Sequence, residues 1–397
     1  MNDRPVTIFL SAAEASGDEH GAKLMDALRD RYPNVRFVGV GGAKMEAGGC
    51  ELLADLTKKA SMLGGPILRL GYYIRLLRRL KRAIKDIKPD LHIPIDSPAL
   101  NWHLAAASKS AGVPVMYYIA PQVWAWAPWR VKKLARLTDH VACILPFEQR
   151  YFRDRGVRAT YVGHPLFDEI PPLDGPLPDL AEAWSEGTFH VALLPGSRPS
   201  EIKGHIPALL QCAKAIRRRW SRAVCTITAY DDTGAQHIMD ACRGHLPQYV
   251  EIVVGKTRHI LQQVHFAVAA SGTVTLEVAY YGVPMVVFYR VGQLGYSLVK
   301  PFVGMQTPHL SLVNILAGRR VVPELMPWFG RLRNVSDMVM DLMQDYGCLW
   351  ETRQSLIDIS HSLRVPPPQS ASGNAADIAA KLIEERQTGD ITANSPQ

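Results

Sequence analysis

Short apolar segments alternate with helical segments along almost the whole chain, and this alternation limits the fold more than any other feature. The predicted strands are Val6–Leu10, Arg36–Val40, Leu91–Ile95, Pro114–Ile119, His140–Leu145, Ala159–Val162, His190–Leu194, Val224–Ala229, Val250–Val254, Phe266–Ala270 and Pro284–Tyr289. Strands that alternate with helices form parallel sheets covered on both faces. The sequence therefore predicts an α/β fold with two doubly wound, Rossmann-like domains that face each other across a cleft.

Two proline-rich segments divide this pattern. Pro171–Pro178 carries neither helical nor strand periodicity, and Val365–Pro368 breaks the chain again. With 397 residues, the chain is long enough for two domains with separate cores. We predict an N-terminal domain over residues 1–170, a second domain over 171–364, and a C-terminal helix with a tail over 365–397.

The strand His190–Leu194 runs into a loop whose residue types suit phosphate. Gly196 lets the backbone approach a ligand closely, Ser197 is predicted to cap the next helix, and Arg198 carries a planar fork that matches phosphate oxygens. The free N–H groups at a helix N-terminus also attract anions. We therefore expect an anion at this junction, one turn before Glu201.

A second junction of the same kind follows Phe266–Ala270. Ser271, Gly272 and Thr273 lead into a helical segment, and Glu277 lies about one turn inside it, where it can accept hydrogen bonds from ribose hydroxyls. Each junction alone is also compatible with an ordinary strand-to-helix turn, since Gly and Ser are common there for local reasons. The pair of junctions favours a nucleoside diphosphate as the ligand of this domain.

Acidic residues follow two predicted strands of the first domain. Glu14 and Ser16 come after the first strand and Asp96 after Leu91–Ile95, at the edge where open α/β sheets bind ligands. Partial burial is expected to raise the pKa of Asp96 and so make it a candidate general base. The alternative for Asp96 is an N-cap of the next helix.

The formal net charge of +8 is concentrated most strongly in one helical segment. Its predicted core stripe comprises Leu70, Tyr73, Ile74, Leu77, Leu80, Ile84 and Ile87. Apolar residues outside that stripe adjoin arginines, and we interpret them as a patch that docks on an anionic bilayer, formed by Leu63, Ile67, Leu68, Tyr72, Leu76, Arg69 and Arg75. A helix buried on two sides with a solvated basic edge is the alternative.

The sequence lacks the residues that several classes of protein need for their function. The six cysteines form no Cys-x-x-Cys pair, so a reducing cytoplasm fits, and no zinc or other metal site is predicted. Asp231–Asp232 after a strand favours a turn over a metal site. Gly39–Gly42 lacks the last glycine of a dinucleotide fingerprint, which disfavours a nicotinamide dehydrogenase. No segment approaches the ~18 apolar residues of a membrane span, and no nucleic-acid partner is predicted.

Short motifs occur along the chain in a fixed order: Glu14–Asp18, Ile95–Pro98 with Asn101, Pro121–Trp126, Pro146–Glu148, Gly163–Leu166, Leu193–Arg198 with Glu201, Ser271–Glu277, Tyr289–Arg290, and Asn314–Gly318 with Val322–Leu325. Each motif is weak alone, but the ordered set is specific and spans nearly the whole chain. In this set the chain resembles the lipid-A-disaccharide synthase family. The resemblance implies a GT-B type glycosyltransferase with two Rossmann-like domains.

The resemblance also implies a reaction and its site residues. A 2,3-diacylglucosamine moves from UDP to the 6-hydroxyl of 2,3-diacylglucosamine 1-phosphate, with inversion and without a metal or other cofactor, giving a tetraacyl disaccharide 1-phosphate and UDP. Asp96 matches the proposed base, with Glu14 as the second catalytic candidate and Ser16, Asn314 and Glu201 elsewhere in the cleft. The positions expected to hold UDP are Gly196, Ser197, Arg198, Ser271, Gly272, Thr273 and Glu277.

An acylated acceptor would explain an apolar, basic patch. The implied location is therefore cytoplasmic and peripheral, on the cytoplasmic face of the inner membrane of a Gram-negative-type bacterium. The oligomeric state stays open, a homodimer included.

The chain departs from the family pattern mainly on the acceptor side. It carries Ala13 in place of Gly, Ala99 in place of an acidic residue, Ala127 in place of Arg and Pro327 in place of Gln, and Gly65–Ile67 lacks the customary Glu. The exact acceptor and the acyl preference therefore stay open. Two alternatives remain: another UDP-sugar enzyme of this fold, either a lipid-linked sugar transferase or an epimerase, and a non-catalytic membrane-bound sensor of nucleotide sugars, which would not need Asp96.

Overall fold

The computed structural model describes residues 5–56, 66–170, 175–290, 308–366 and 369–389. The chain divides into two compact units: unit 1 is formed by Met1–Asp168 together with Leu363–Gln397, and unit 2 by Glu169–Ser362. Unit 1 therefore consists of two separate segments of sequence, whereas unit 2 is one continuous segment.

Unit 1 is built on parallel strands. One sheet has the order β3-β2-β1-β4, with the bounds Thr7–Ser11 (β1), Arg36–Gly41 (β2), Glu51–Asp55 (β3) and Leu91–Pro94 (β4). A second sheet has the order β5-β6-β7, with the bounds Met116–Tyr118 (β5), His140–Cys143 (β6) and Ala159–Tyr161 (β7). Parallel bridges from His92 to Val115 and from Ile95 to Tyr118 join β4 to β5, so the strands form one continuous array.

Helices cover both faces of this array. They are α1 (Ala15–Arg29), α2 (Ala43–Ala47), α3 (Pro66–Ile87), α4 (Pro98–Ser110), α5 (Val123–Trp126), α6 (Val131–Leu137), α7 (Pro146–Arg153) and α8 (Leu166–Glu169). Successive strand side chains point to opposite faces. Accordingly, Ile8 and Leu10 of β1 share a core with Leu24 of α1, whereas Phe9 packs in a separate core with Leu80 of α3 and Leu104 of α4.

The described strands of unit 2 form one parallel sheet of order β10-β9-β8-β11-β12-β13. Its strands are β8 (His190–Leu194), β9 (Val224–Ala229), β10 (Val250–Val254), β11 (Phe266–Ala270), β12 (Met285–Arg290) and β13 (Glu324–Trp328). The described helices of this segment are α9 (Leu180–Glu186), α10 (Pro199–Arg219), α11 (Asp232–Ala241), α12 (Thr257–Leu261), α13 (Val274–Tyr280), α14 (Leu312–Ala317), α15 (Leu332–Met343) and α16 (Tyr346–Leu363). Every residue of the central strand β11 is buried, as expected for a strand covered on both sides.

A last helix, α17 (Ala371–Thr388), belongs to unit 1. Its buried residues Ala375, Ala376 and Ala379 join the core that contains Ile8 and Leu10 of β1. Their small side chains permit close packing against the sheet. The C-terminal helix contacts α1, β4, β5 and β6, so it completes one face of the strand array of unit 1.

The predicted α/β fold with two Rossmann-like domains is confirmed, and each predicted strand is present with its ends shifted by no more than two residues. The strands β3 and β13 were not predicted. Both lie at the edge of their sheets, and most of their side chains are half-buried rather than buried.

The predicted core stripe of α3 is partly wrong. Ile74, assigned to the stripe, is 40% exposed, whereas Leu76, assigned to the membrane patch, is 6% exposed. The buried face runs through Leu76, Leu80 and Ile84, one residue every four, and packs against Phe9. The contacts made by the sheet select this face from a helix that is apolar on several sides.

Candidate active site

The strand order reverses once among the described strands of each unit, and several of the predicted site residues follow the strands at these points. The reversal falls between the neighbouring strands β1 and β4 in unit 1, and between β8 and β11 in unit 2. Open parallel sheets bind ligands outside the carboxyl ends of their strands at such a switch point. Glu14 and Asp96 follow β1 and β4, whereas Arg198 and Ser271 follow β8 and β11.

Asp96 lies in a left-handed turn between β4 and α4. Asp96 and Ser97 have φ angles of 45° and 46°. A non-glycine residue in this region costs about 1–3 kcal/mol, and such residues cluster at functional sites. The N-cap of α4 is Ser97, without a side-chain capping bond, so the alternative that Asp96 is the cap is ruled out.

The surroundings of the half-buried Asp96 carboxyl disfavour its charged form. Burial raises its pKa and the negative charge of Glu14 raises it further, while a hydrogen bond from the Ser97 amide lowers it. The direction predicted from the sequence is confirmed. Glu14 is exposed at the N-cap of α1, where its side chain makes no capping bond, and Ser16 is exposed in the first turn.

Two buried side chains hold the backbone of this turn. Asn101 Nδ2 donates to the Asp96 carbonyl oxygen at 2.6 Å, and the Tyr117 hydroxyl donates to the same oxygen at 2.8 Å. Neither side chain is exposed. The sequence indicated Asn101 only as part of a motif. Nothing in the sequence predicted that Tyr117, inside β5, would contact the Asp96 carbonyl.

The first junction of unit 2 closes around Glu201. Gly196 has a φ of 95°, and a Cβ there would lie 2.5 Å from Glu201 Oε2, so a larger residue would be strained. Glu201 accepts from the Arg198 amide at 3.3 Å and from its guanidinium at 2.9 Å. The predicted cap at Ser197 is wrong: Arg198 is the N-cap of α10, and the Glu201 carboxylate reaches back to its amide.

Residues of α10 and β12 hold the loop between β8 and α10 in place through hydrogen bonds. The Tyr289 hydroxyl donates to Glu201 Oε1 at 3.1 Å. The Arg290 amide donates to His205 Nε2 at 3.1 Å, so His205 carries its proton on Nδ1 and donates to the Pro195 carbonyl at 2.8 Å. Burial lowers the pKa of His205, which favours this neutral form. The sequence had not assigned these contacts.

The second junction places exposed Gly272 and Thr273 immediately before α13, with Ser271 half-buried. Glu277 pairs with Arg258 Nε at 3.2 Å. Arg258 lies in α12, which follows β10, and the sequence gave no reason to connect it with Glu277. It brings a second guanidinium to the carboxyl edge of this sheet.

Asn314 lies in the interior of unit 2 rather than at an open edge. It has no exposed surface, and its amide donates to the Val322 carbonyl at 2.9 Å and to Glu324 at 3.0 Å. Its oxygen accepts from the amides of Val321 and Val322. These contacts use its hydrogen-bonding groups and fix the chain before β13. Its position in the cleft stays a prediction.

The predicted membrane patch is only partly described. Leu76 belongs to the core, Tyr72 is half-buried against it, and Arg75 is exposed. Leu63 and the side chains of Ile67, Leu68 and Arg69 lie outside the described residues. The exposed face of α3 is basic, with Arg75, Arg78, Arg79, Arg82 and Lys85.

Other predictions concern turns and absences. Asp231 caps α11 by accepting from the Gly234 amide at 2.7 Å, as the turn interpretation requires. In the described ranges, no three or more His, Cys, Asp or Glu side chains form a group able to hold a metal ion. Among the helices of the same ranges, none combines the length and apolar character needed to cross a bilayer.

The departures from the family pattern occupy different environments. The Ala99 carbonyl accepts from the Tyr73 hydroxyl at 2.9 Å, and Ala127 is buried beside α5. Pro327 lies in β13 and follows a cis peptide bond. Ala13 is half-buried between β1 and α1. The Ile67 side chain lies outside the described residues.

Comparison with known proteins shows which family the chain resembles in sequence. A family model described as lipid-A-disaccharide synthetase matches residues 8–336. The lipid-A-disaccharide synthase of Syntrophus aciditrophicus is 34% identical over 394 residues, covering 97% of this chain and 99% of that protein. That of Myxococcus xanthus is 38% identical over 333 residues, covering 81% and 84%.

Solved structures at low identity share the fold. A UDP-GlcNAc 2-epimerase of Neisseria meningitidis bound to UDP-GlcNAc has a TM-score of 0.57 at 10% identity, covering 96% of this chain and 99% of that one. UGT89C1 of Arabidopsis thaliana complexed with UDP has a TM-score of 0.57 at 13% identity, covering 96% and 100%. The match to the family model and the sequence identities to the two synthases show that the chain belongs to the lipid-A-disaccharide synthase family, a family of glycosyltransferases of lipid A biosynthesis.

Proposed function

We propose that this glycosyltransferase moves 2,3-diacylglucosamine from UDP to the 6-hydroxyl group of 2,3-diacylglucosamine 1-phosphate, with inversion at the anomeric carbon. The products are a tetraacyl disaccharide 1-phosphate and UDP. The observation that carries the proposal is the Asp96 carboxyl, which lies half-buried in a left-handed turn under the influence of Glu14, at the switch point of unit 1.

In this reaction Asp96 is the general base. It takes the proton of the acceptor hydroxyl while that oxygen bonds to the anomeric carbon and the bond from this carbon to UDP breaks. A base works best when its pKa lies near the working pH. The raised pKa of Asp96 is a shift in that direction. Glu14 keeps the pKa of Asp96 raised and is the second candidate for the base.

Unit 2 holds the donor in this proposal. The UDP group contacts both junctions, through Gly196, Ser197, Arg198, Ser271, Gly272, Thr273 and Glu277. Arg198 and the helix N-termini stabilise the negative charge that develops on the departing diphosphate, and the proposal includes no metal or other cofactor. Support comes from the nucleotide complexes of the epimerase and of UGT89C1, which share this fold.

The substrates carry acyl chains, so we place the enzyme at the cytoplasmic face of the inner membrane of a Gram-negative-type bacterium, as a peripheral protein. The basic face of α3 supports this placement, because exposed arginines are attracted to anionic lipid headgroups.

Asp96→Asn tests the base, because it keeps the shape of the side chain and removes its basicity. A positioned base contributes about 10²- to 10⁴-fold in rate. We expect turnover to fall by that factor, measured by mass spectrometry of the disaccharide product, while calorimetry shows unchanged UDP binding. Asp154→Asn, an exposed carboxylate of the same unit, should keep parental turnover. More than roughly a tenth of parental turnover in Asp96→Asn would eliminate Asp96 as the base and leave Glu14.

An epimerase of this fold is the second candidate, since epimerases are among the structural neighbours. The same mass spectrometry separates the two activities. An epimerase changes the UDP-sugar without the acceptor, whereas the proposed transferase forms the disaccharide and UDP only when both substrates are present.

A further inference from the structure

A chain of buried polar groups runs from the interior of the unit 1 sheet to the Asp96 turn. His92, in β4, is fully buried, and its ring contacts the hydroxyl groups of Ser108 at 2.8 Å and Ser11 at 2.9 Å. Ser11, at the end of β1, donates to Asn101 Oδ1 at 2.7 Å. Asn101 in turn donates to the Asp96 carbonyl oxygen.

The hydrogen bonds of this chain all point toward Asp96. Asn101 Nδ2 faces three backbone carbonyl oxygens, which assigns the amide oxygen to the side of Ser11. The single hydrogen of the Ser11 hydroxyl goes to Asn101, so Ser11 accepts from Nε2–H of His92. The Nδ1 atom of His92 then has no proton and accepts from Ser108.

The His92 ring is held in this one form. Burial lowers its pKa to about 3, so it stays neutral at physiological pH. The ring also packs edge-on against Phe9, with centroids 5.3 Å apart. Hydrogen bonds aligned in one direction polarise and strengthen one another in a buried setting. The hydrogen bonds that connect Ser108, His92, Ser11 and Asn101 to the Asp96 carbonyl therefore hold the backbone of the turn in one conformation.

We propose that His92 and Ser11 are positioning residues which, acting through Asn101, hold Asp96 in the left-handed turn beside Glu14. This rests on the proposed function for the role of Asp96 as base. It extends that function to two residues of the sheet interior that touch no substrate.

His92→Phe keeps the ring and its packing on Phe9 but removes both hydrogen bonds. We expect kcat to fall at least tenfold with UDP affinity unchanged. We also expect the acid limb of the kcat–pH profile to move to lower pH. A released Asp96 carboxyl would lose its burial and its proximity to Glu14, the two causes that raise its pKa, while the buried Tyr117 hydroxyl, the other titratable group facing it, stays neutral.

His92→Gln is the rescue variant, because its amide can still donate to Ser11. It should retain most of the parental kcat and acid limb. His140→Phe is the matched control: His140 also lies in unit 1 and hydrogen-bonds a hydroxyl, that of Thr160 at 2.9 Å. In the described part of the chain, its contacts do not connect it to Asp96. This control should keep the parental kcat and acid limb even where its stability falls.

Hydrogen exchange of the backbone amides over residues 95–101 measures, independently of activity, whether His92 stabilises the turn. Exchange should be faster in His92→Phe than in His140→Phe. Unchanged exchange together with an unchanged acid limb in His92→Phe would overturn the proposal.

Where His92→Phe gives too little folded protein, Ser11→Ala breaks the same series of hydrogen bonds with a smaller change. It should show both faster exchange and an acid limb at lower pH. If Asp96→Asn retains turnover, the base assignment alone fails, and exchange still decides whether His92 holds the turn.

Discussion

The Arg198 guanidinium pairs with Glu201, yet its side chain is 68% exposed. A diphosphate can therefore contact the outward nitrogens while the pair persists. Because a hydrogen bond to a charged group contributes about 1.5–3 kcal/mol, we expect Arg198→Ala to weaken UDP binding about 10- to 100-fold in calorimetry. Arg222→Ala removes another exposed, paired arginine of unit 2 and should leave the affinity unchanged. Parental affinity in Arg198→Ala would contradict the donor site.

Glu148 makes the stability of unit 1 depend on pH. It is buried without a basic partner in the described contacts, accepts from Trp124 Nε1 at 2.9 Å, and burial raises its pKa to about 7 from a usual 4.5. Between these values the folded protein keeps a proton that the unfolded chain has lost. Stability from this group therefore falls as pH rises from about 4.5 to 7, and it stays low above that.

Glu148→Gln removes this titration. Relative to the parent protein, the variant should gain about 1–3 kcal/mol of unfolding free energy between pH 5 and pH 8, as measured by urea unfolding across that range. Glu46→Gln, an exposed change in the same unit, should show a constant difference from the parent. A difference for Glu148→Gln that does not vary with pH would show that Glu148 is ionised throughout.

Residue types indicated which side chains lie at strand ends, but not which ones hold them in place. Glu14 and Asp96 follow strands of the unit 1 sheet, and Arg198 follows a strand of the unit 2 sheet. A parallel sheet gathers such positions at its own carboxyl edge. The contacts of His92 and Ser11 depend on β1 lying beside β4. That pairing comes from the strand order, which spans more than 80 residues of sequence, and local patterns do not contain it.

In helix α3, the sequence pattern shows which residues are apolar, but the packing against the sheet determines which of them are buried. Leu76 and Ile74 lie two residues apart, with exposed fractions of 6% and 40%. Truncating a buried leucine costs about 2–5 kcal/mol, whereas surface changes stay within about 0.5 kcal/mol. We expect Leu76→Ser to lower the free energy of unfolding by the larger amount and Ile74→Ser to leave it nearly unchanged in urea titrations. Equal effects would contradict the buried face.

The two strands that were not predicted, β3 and β13, differ from the edge strands β7 and β10, which were predicted. The segment Glu51–Asp55 begins and ends with acidic residues, and Glu324–Trp328 contains a proline. Edge positions tolerate both, because one side of the backbone needs no ladder partner and the side chains are less buried. Their pairing registers are also irregular. The continuous apolar runs that marked the inner strands are absent from such segments.

The charge of the whole molecule is +8, and the face of α3 carries much of it. Each basic group near an anionic surface contributes about 1 kcal/mol. We expect the double change Arg78→Gln and Arg82→Gln to lower binding to anionic vesicles about ten- to thirtyfold in co-sedimentation. Arg218→Gln with Arg222→Gln removes the same charge from unit 2 and should have a smaller effect. Equal losses would mean that net charge, rather than this face, determines binding.

The order in which a ribosome releases the chain is at odds with the order in which its cores can close. Residues 1–168 emerge first, but the sheet that they form lacks α17, whose alanines pack beside Ile8 and Leu10. Unit 2, a single stretch from Glu169 to Ser362, can complete its core before α17 leaves the exit tunnel. The part of the unit 1 core that α17 covers beside α1 therefore stays exposed while unit 2 is translated, and this is the interval in which the nascent chain is most exposed to aggregation and to capture by chaperones.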